Sequence, residues 1–192
     1  MLPFPKEKHY ICVILDLFSR KVIGCKVSHR NSTQLVKATF KMAYESRKPP
    51  EGLIFHTDRG TNYKSHTFMS YLKSCNVIQS FSRAHMPYDN SVMESFFSSF
   101  KREELYRTKY KSEKELKMAI EDYIEFYNSK RPHYQNNYKT PTAKEQGFWE
   151  NGDWNCIEQL CSIVTIYNDC ISFFNCFVKK VSHLKLTKKQ AR

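Results

Sequence analysis

Two short runs open the chain, HYICVILDLF and VIGCKVS, separated by the polar triplet SRK. Both are dense in β-branched and aromatic residues, so they read as strands joined by a tight turn, an antiparallel hairpin. From Asn31 the spacing changes. Leu35, Val36, Thr39, Phe40 and Ala43 recur at helical intervals and Pro49-Pro50 closes the segment, which predicts a first helix. The apolar run 52–56 suits a buried strand. Residues 67–74 place Phe68, Tyr71 and Leu72 on one helical face, and residues 77–81 form a further short strand.

Residues 83–90 contain Pro87, Asp89 and Asn90 and predict an extended loop. A long helix then starts near Ser91. A second runs from about 112 to 128, with Leu116, Ala119, Ile120, Tyr123, Ile124 and Tyr127 as its apolar stripe. Strands alternating with helices after an initial hairpin argue for an α/β layer structure with a mixed sheet.

A length of 192 residues fits one domain plus an appendage. The charge adds a partner: 31 Lys and Arg against 19 Asp and Glu leave a formal charge of +12, a field that attracts polyanions, nucleic acid first. A solvated basic surface would show the same excess, so the motifs must decide. The seven cysteines are odd in number, form no C-x-x-C pair and follow no signal peptide, which points to a reducing cytoplasm. Cys156, Cys161, Cys170 and Cys176 lack zinc-site spacing and read as small apolar residues. The longest apolar stretch, 156–178, is broken by Glu158, Asn168, Asp169 and Asn175, so no membrane span is implied.

Two carboxylates stand out by position. Asp58 in HTDRG ends the buried strand LIFHT, and α/β folds place their sites at the carboxyl ends of strands. Glu94 lies near the start of the long helix, after the loop. The intervening helix and strand could return the chain to the same sheet edge, where both acids could share a divalent metal. Hard oxygen ligands suit Mg²⁺, and paired ions can hold the attacking and leaving oxygens of a phosphoryl displacement. Lys101 lies two turns beyond Glu94 on the same face, with Ser98 between them. That polar stripe opposes an apolar one of Met93, Phe96, Phe97 and Phe100, so one face can pack while the other meets DNA. Bland readings compete. Ser91-x-x-Glu94 is also a capping box, as is Ser112-x-x-Glu115, and Asp-x-Gly favours a tight bend.

HTDRGTNY, then a Glu in PYDNSVMESFFSSFKRE, then YIEFYNSKRPH, preceded by DLFSRKVIG, resemble the DDE-type catalytic core of insertion-sequence transposases related to retroviral integrases. The resemblance covers roughly residues 10–146. It implies an RNase-H-like fold, two Mg²⁺ or Mn²⁺ ions, Asp58 and Glu94 as the second and third members of an acidic triad that binds the metals, and Lys101 as a DNA contact. Asn62 and Arg131 also match positions of that family. The implied function is DNA transposition or integration by metal-dependent strand transfer. The implied partners are mobile-element ends, target DNA and further copies of the chain, in a bacterial cytoplasm at the nucleoid.

In the family pattern the first Asp lies on a strand just before Tyr10, where this chain has MLPFPKEKH with two prolines. The expectation is therefore a sheet with its first strand missing and a copy inactive for lack of that Asp. The hairpin would then pair directly with the 53–56 strand or leave backbone groups unpaired. Asp16 belongs to the neighbouring strand and reads as structural. Residues 1–146 read as a partial catalytic domain. Residues 147–192 carry no recognised motif and read either as a tail not selected to pack or as an extra helix or hairpin covering apolar surface. Three functions stay open: an active transposase taking a third carboxylate from Asp16 or another polypeptide, a catalytically dead DNA-binding remnant, and a metal-dependent nuclease.

Overall fold

The computed structural model describes residues 8–83, 87–150 and 163–172, the last as backbone alone. The hairpin forms as the pattern predicts, with β1 (Lys8–Asp16) antiparallel to β2 (Val22–Ser28) from Tyr10↔Ser28 to Leu15↔Val22. Its turn is built by one carboxylate. Asp16 accepts the backbone N–H groups of Phe18 and Ser19, both at 3.2 Å, and the Ser19 hydroxyl.

Helix α1 (Thr33–Arg47) buries all five residues of the predicted stripe, from Leu35 to Ala43. Ser32 caps its start by accepting the Leu35 N–H at 3.2 Å, and Lys48 ends it in the left-handed region at φ 45°. Gly24 lets α1 lie close on β2, since a Cβ there would stand 3.1 Å from the Ala43 Cβ and 3.3 Å from the Thr39 carbonyl. Strand β3 (Ile54–Thr57), helix α2 (His66–Ser74) and strand β4 (Ile78–Phe81) follow, with β4 parallel to β3.

A 3-10 turn (Pro87–Asn90) leads into α3 (Ser91–Phe100), so this part of the loop is coiled rather than extended; residues 84–86 lie outside the described ones. Beyond Phe100 the helix widens into a π turn over Lys101–Leu105. Helix α4 (Glu113–Ser129) buries Leu116, Ile120, Tyr123 and Tyr127. Helix α5 (Pro141–Glu150) is tied down by Glu145, which pairs with Lys21 at 2.6 Å and with Arg47.

The sheet lies between two helical layers, and β1 shows why its sequence is apolar throughout. Ile11, Val13 and Leu15 pack with Met93, Phe96, Phe97 and Phe100 of α3 and with the buried face of α4. Cys12 and Ile14 pack on the other side with Leu35, Val36 and Phe40 of α1 and Phe68 and Leu72 of α2. A strand covered on both faces cannot alternate with polar residues. Phe40 organises the second layer, its ring edge-on to Phe55 at 4.9 Å and to Phe68 at 6.1 Å.

The place that the missing first strand was expected to leave open at the centre of the sheet is filled. Strand β5 (Ile163–Ser172) comes from the tail and gives the order β2-β1-β5-β3-β4. It runs antiparallel to β1 from Lys8↔Ser172 to Asp16↔Val164 and parallel to β3 from Ile54↔Ile163 to Thr57↔Ile166. The hairpin therefore neither pairs with β3 nor leaves that edge bare. This part of the tail is neither a surface helix nor a hairpin. Backbone pairing supplies the reason, because an interior position satisfies N–H and C=O groups on both flanks.

Candidate active site

Asp58 follows the last residue of β3, and Glu94 lies in the first turn of α3. Three contacts link the end of β3 to the turn that precedes α3. The Ser82 N–H donates to the Thr57 carbonyl at 2.9 Å, the Arg59 guanidinium donates to the Ser82 carbonyl at 3.0 Å, and the Arg83 N–H donates to Asp89 Oδ2 at 2.9 Å. Asp89 sits in the turn just before α3. The start of α3 is thereby held beside the carboxyl ends of β3 and β4. The Arg83 backbone N–H, and then its guanidinium, hold the Asp89 carboxyl below its usual range.

Asp58 is half-buried and does serve as a bend residue, its Oδ1 accepting the Gly60 N–H at 2.7 Å. Glu94 behaves differently. The helix cap is Asn90, with no side-chain cap bond, so the capping-box reading at Ser91 fails. Among the described residues the exposed Glu94 carboxylate has no hydrogen-bond or ion-pair partner. At α4 the same motif is real: Ser112 accepts the Glu115 N–H at 3.1 Å, while Glu115 takes the N–H of Lys111 at 2.6 Å. The predicted two-faced helix is present, with Glu94 and Ser98 exposed, Lys101 half-buried and the four apolar residues buried.

Asp16 is turned away from this edge. Its place in β1 matches Cys12 and Ile14, on the α1 side, and its three acceptor bonds are spent on the turn. Burial raises its pKa, while the Ser19 and Phe18 hydrogen bonds and Arg47 oppose that rise. It is a structural residue. Beside Asp58 the middle strand offers no acid: Thr57 pairs with Ile166, so the next register position belongs to Tyr167, and Asp169 stands two further on, opposite Ile11.

Asn62 bridges loops by donating to Asn31 Oδ1, and its Oδ1 lies 3.4 Å from the Thr33 hydroxyl. Arg131 clamps the helices, its Nε and a terminal nitrogen each 2.9 Å from a Glu103 carboxylate oxygen, with Tyr123 donating to the same carboxylate at 3.0 Å. Burial pushes the Glu103 pKa up, but the Arg131 and Tyr123 hydrogen bonds outweigh it and the net shift is downward. The sequence reading missed His56, whose ring nitrogens each lie 3.1 Å from a serine hydroxyl, Ser80 and Ser82, and it missed the Arg83–Asp89 tie. The signal for both was present in HTDRG and PYDN, but their partners lie on other strands and turns. Among the described residues one cluster of three metal-ligand side chains occurs, His9, His29 and Glu113; it lies on the β1–β2 side, across β5 from Asp58. No helix among the described residues is long and apolar enough to cross a membrane.

Two family profiles, both described as Integrase core domain, match residues 1–87 and 76–141. The chain is 38% identical over 146 residues to the transposase for insertion sequence element IS904 of Lactococcus lactis subsp. lactis (strain IL1403), covering 76% of this chain and 58% of that protein. It is 35% identical over 125 residues to the putative transposase InsK for insertion sequence element IS150 of Escherichia coli (strain K12), covering 65% of this chain and 44% of that one. The chain thus spans about half the length of these relatives. Among solved structures it resembles the HTLV-2 integrase catalytic core domain in complex with magnesium, with TM-score 0.57 and 19% identity over 74% of this chain and 88% of that one. The BIV integrase catalytic core domain gives TM-score 0.57 and 16% identity over the same shares. The likeness to solved structures shows the RNase-H-like fold, and the two matching profiles together with the transposase relatives place the chain in the integrase core domain family.

Proposed function

We propose that this chain is the catalytic-core part of a transposase that acts on DNA, with residues 1–146 carrying the motifs, residues 163–172 completing the sheet, and Asp58 and Glu94 as two of its metal-binding carboxylates. The observation that supports the reading is the chain of contacts Thr57–Ser82, Arg59–Ser82 and Arg83–Asp89, which links the end of β3 next to Asp58 to the turn that leads into the helix of Glu94. The donor set fits a hard divalent cation such as Mg²⁺ or Mn²⁺. Asp58 keeps one oxygen outside the Gly60 bond, and Glu94 is exposed and unengaged among the described residues. Such an ion, when bound, supplies charge stabilisation for phosphoryl transfer.

The protein's own residues prepare the edge. Gly60 fixes the Asp58 carboxylate through its N–H, and Lys101 extends the polar stripe of α3 as a phosphate contact. The net charge of +12 draws DNA from any sequence. Thr57 pairs with Ile166 and the next β5 residue is Tyr167, so the reading counts two carboxylates, Asp58 and Glu94, with none added from the neighbouring position of the middle strand. We therefore infer that the chain by itself does not join DNA ends efficiently.

The test combines binding and chemistry on the purified chain. DNA binding should persist in EDTA, weaken steeply with salt and fall in Lys101→Ala, while end joining with Mn²⁺ stays near background. Salt-insensitive binding would contradict the charge argument. Efficient joining would show that a third carboxylate is in place.

A further inference from the structure

A cleft of about 600 Å³ runs along α3, past Ser91, Ser95 and Ser99, to the end of α4 and the β1–β2 turn. These serines form a stripe next to the one that carries Glu94 and Ser98, so one end of the cleft lies beside the candidate active site. Two loops close it. One is the β1–β2 turn with Arg20, and the other is the 131–139 loop. Asn136, nearly fully buried, joins them by donating to the Ser19 carbonyl at 2.7 Å.

Both loops hold non-glycine residues in the left-handed region: Arg20 at φ 66°, Asn137 at φ 53° and Tyr138 at φ 61°. That conformation costs free energy and is kept only when surrounding contacts enforce it. Here the Arg20 N–H donates to the Asp16 carbonyl at 2.8 Å, and the Tyr138 N–H to the His133 carbonyl at 2.9 Å. What the strain displays is chemically specific. Tyr134 and Tyr138 are 74% and 70% exposed with rings 5.7 Å apart. Arg131 is neutralised by Glu103, but among the described residues no carboxylate pairs with Arg20. The wall thus offers the Arg20 guanidinium, which feels the Asp16 carboxylate without forming an ion pair with it, together with hydroxyls and two open aromatic faces.

We propose that this cleft binds an unpaired DNA strand, with a phosphate on Arg20 and a base stacked on the Tyr134–Tyr138 pair. Its volume lies within the roughly 300–1,000 Å³ of small-ligand sites and suits an extruded nucleotide rather than a duplex. Stacking on an aromatic face and charge pairing with the backbone are the two interactions by which single strands are held. The proposal rests on the reading of this chain as a DNA-acting core and adds a place for a strand separated from its complement near Glu94.

Glycine variants test it cleanly, because glycine adopts positive φ without strain. Arg20→Gly and Tyr138→Gly remove the proposed contacts while relaxing the backbone. Fluorescence anisotropy on the full chain, with one labelled oligonucleotide as single strand and as duplex, reads binding, and thermal unfolding reads the fold. The expected result is a single-strand affinity lowered about tenfold in each variant, duplex affinity changed by less than about twofold, and an unchanged or raised Tm. Variants that keep single-strand affinity, lose both probes equally, or lose binding only with a lowered Tm overturn the proposal. A wild-type chain that binds neither probe instead removes the DNA reading itself.

Discussion

Gly60 donates its N–H to Asp58 Oδ1 at 2.7 Å, and a Cβ on Gly60 would stand 2.8 Å from that same oxygen and 3.2 Å from the Tyr63 ring. The bend that orients the carboxylate therefore leaves no room for a side chain. Gly60→Ala should displace the Asp58 carboxylate and lower stability by about 1–3 kcal/mol through overpacking. Mn²⁺ titration by calorimetry should show affinity reduced by about tenfold. Unchanged ion binding in that variant would count against Asp58 as a ligand.

Arg131 and Glu103 form a two-pronged pair between the end of α4 and the π turn after α3. Arg131→Ala should cost about 1–3 kcal/mol, since it strips a partly buried carboxylate of its main donors. Lysine cannot reproduce the planar fork, so Arg131→Lys should recover less than half of the loss in chemical denaturation.

His133 is buried, and desolvation by that burial is the main cause that lowers its pKa from 6.5, with the Tyr127 carbonyl opposing it. A base whose folded pKa is depressed is penalised on protonation. Its contribution to stability is thus present above pH 6.5 and lost as pH falls through the folded value. Urea midpoints from pH 8 to 5 should fall more steeply for the wild type than for His133→Asn. Parallel curves would assign the acid sensitivity to other groups.

Strand β5 pairs on both flanks, so its backbone donors belong to the middle of the sheet. Ile166→Pro removes an N–H and introduces a ring where a ladder must pass. The thermal transition should become broad or vanish. Ile166→Val, which keeps the N–H, should retain a single cooperative transition. A proline variant that unfolds like the wild type would mean that the sheet does not need the tail.

Much of this protein was legible one segment at a time. The unbroken apolar run of β1, the buried stripe from Leu35 to Ala43, the two faces of α3 and the Ser112 cap of α4 follow from periodicity and capping. Such signals are complete within a few residues, and Asp58 at the end of a buried strand belongs with them. Tertiary structure decided what depends on distant partners. Asp16 faces α1 because its place in the pleat matches Cys12 and Ile14. Arg131 is a clamp because Glu103 reaches it from the π turn. Arg20 and Tyr138 are held at positive φ in loops that Asn136 joins through the Ser19 carbonyl. The tail gave no hint of a central strand, because strand insertion rests on backbone hydrogen bonds common to every residue, and a partner more than a hundred residues away leaves no local pattern.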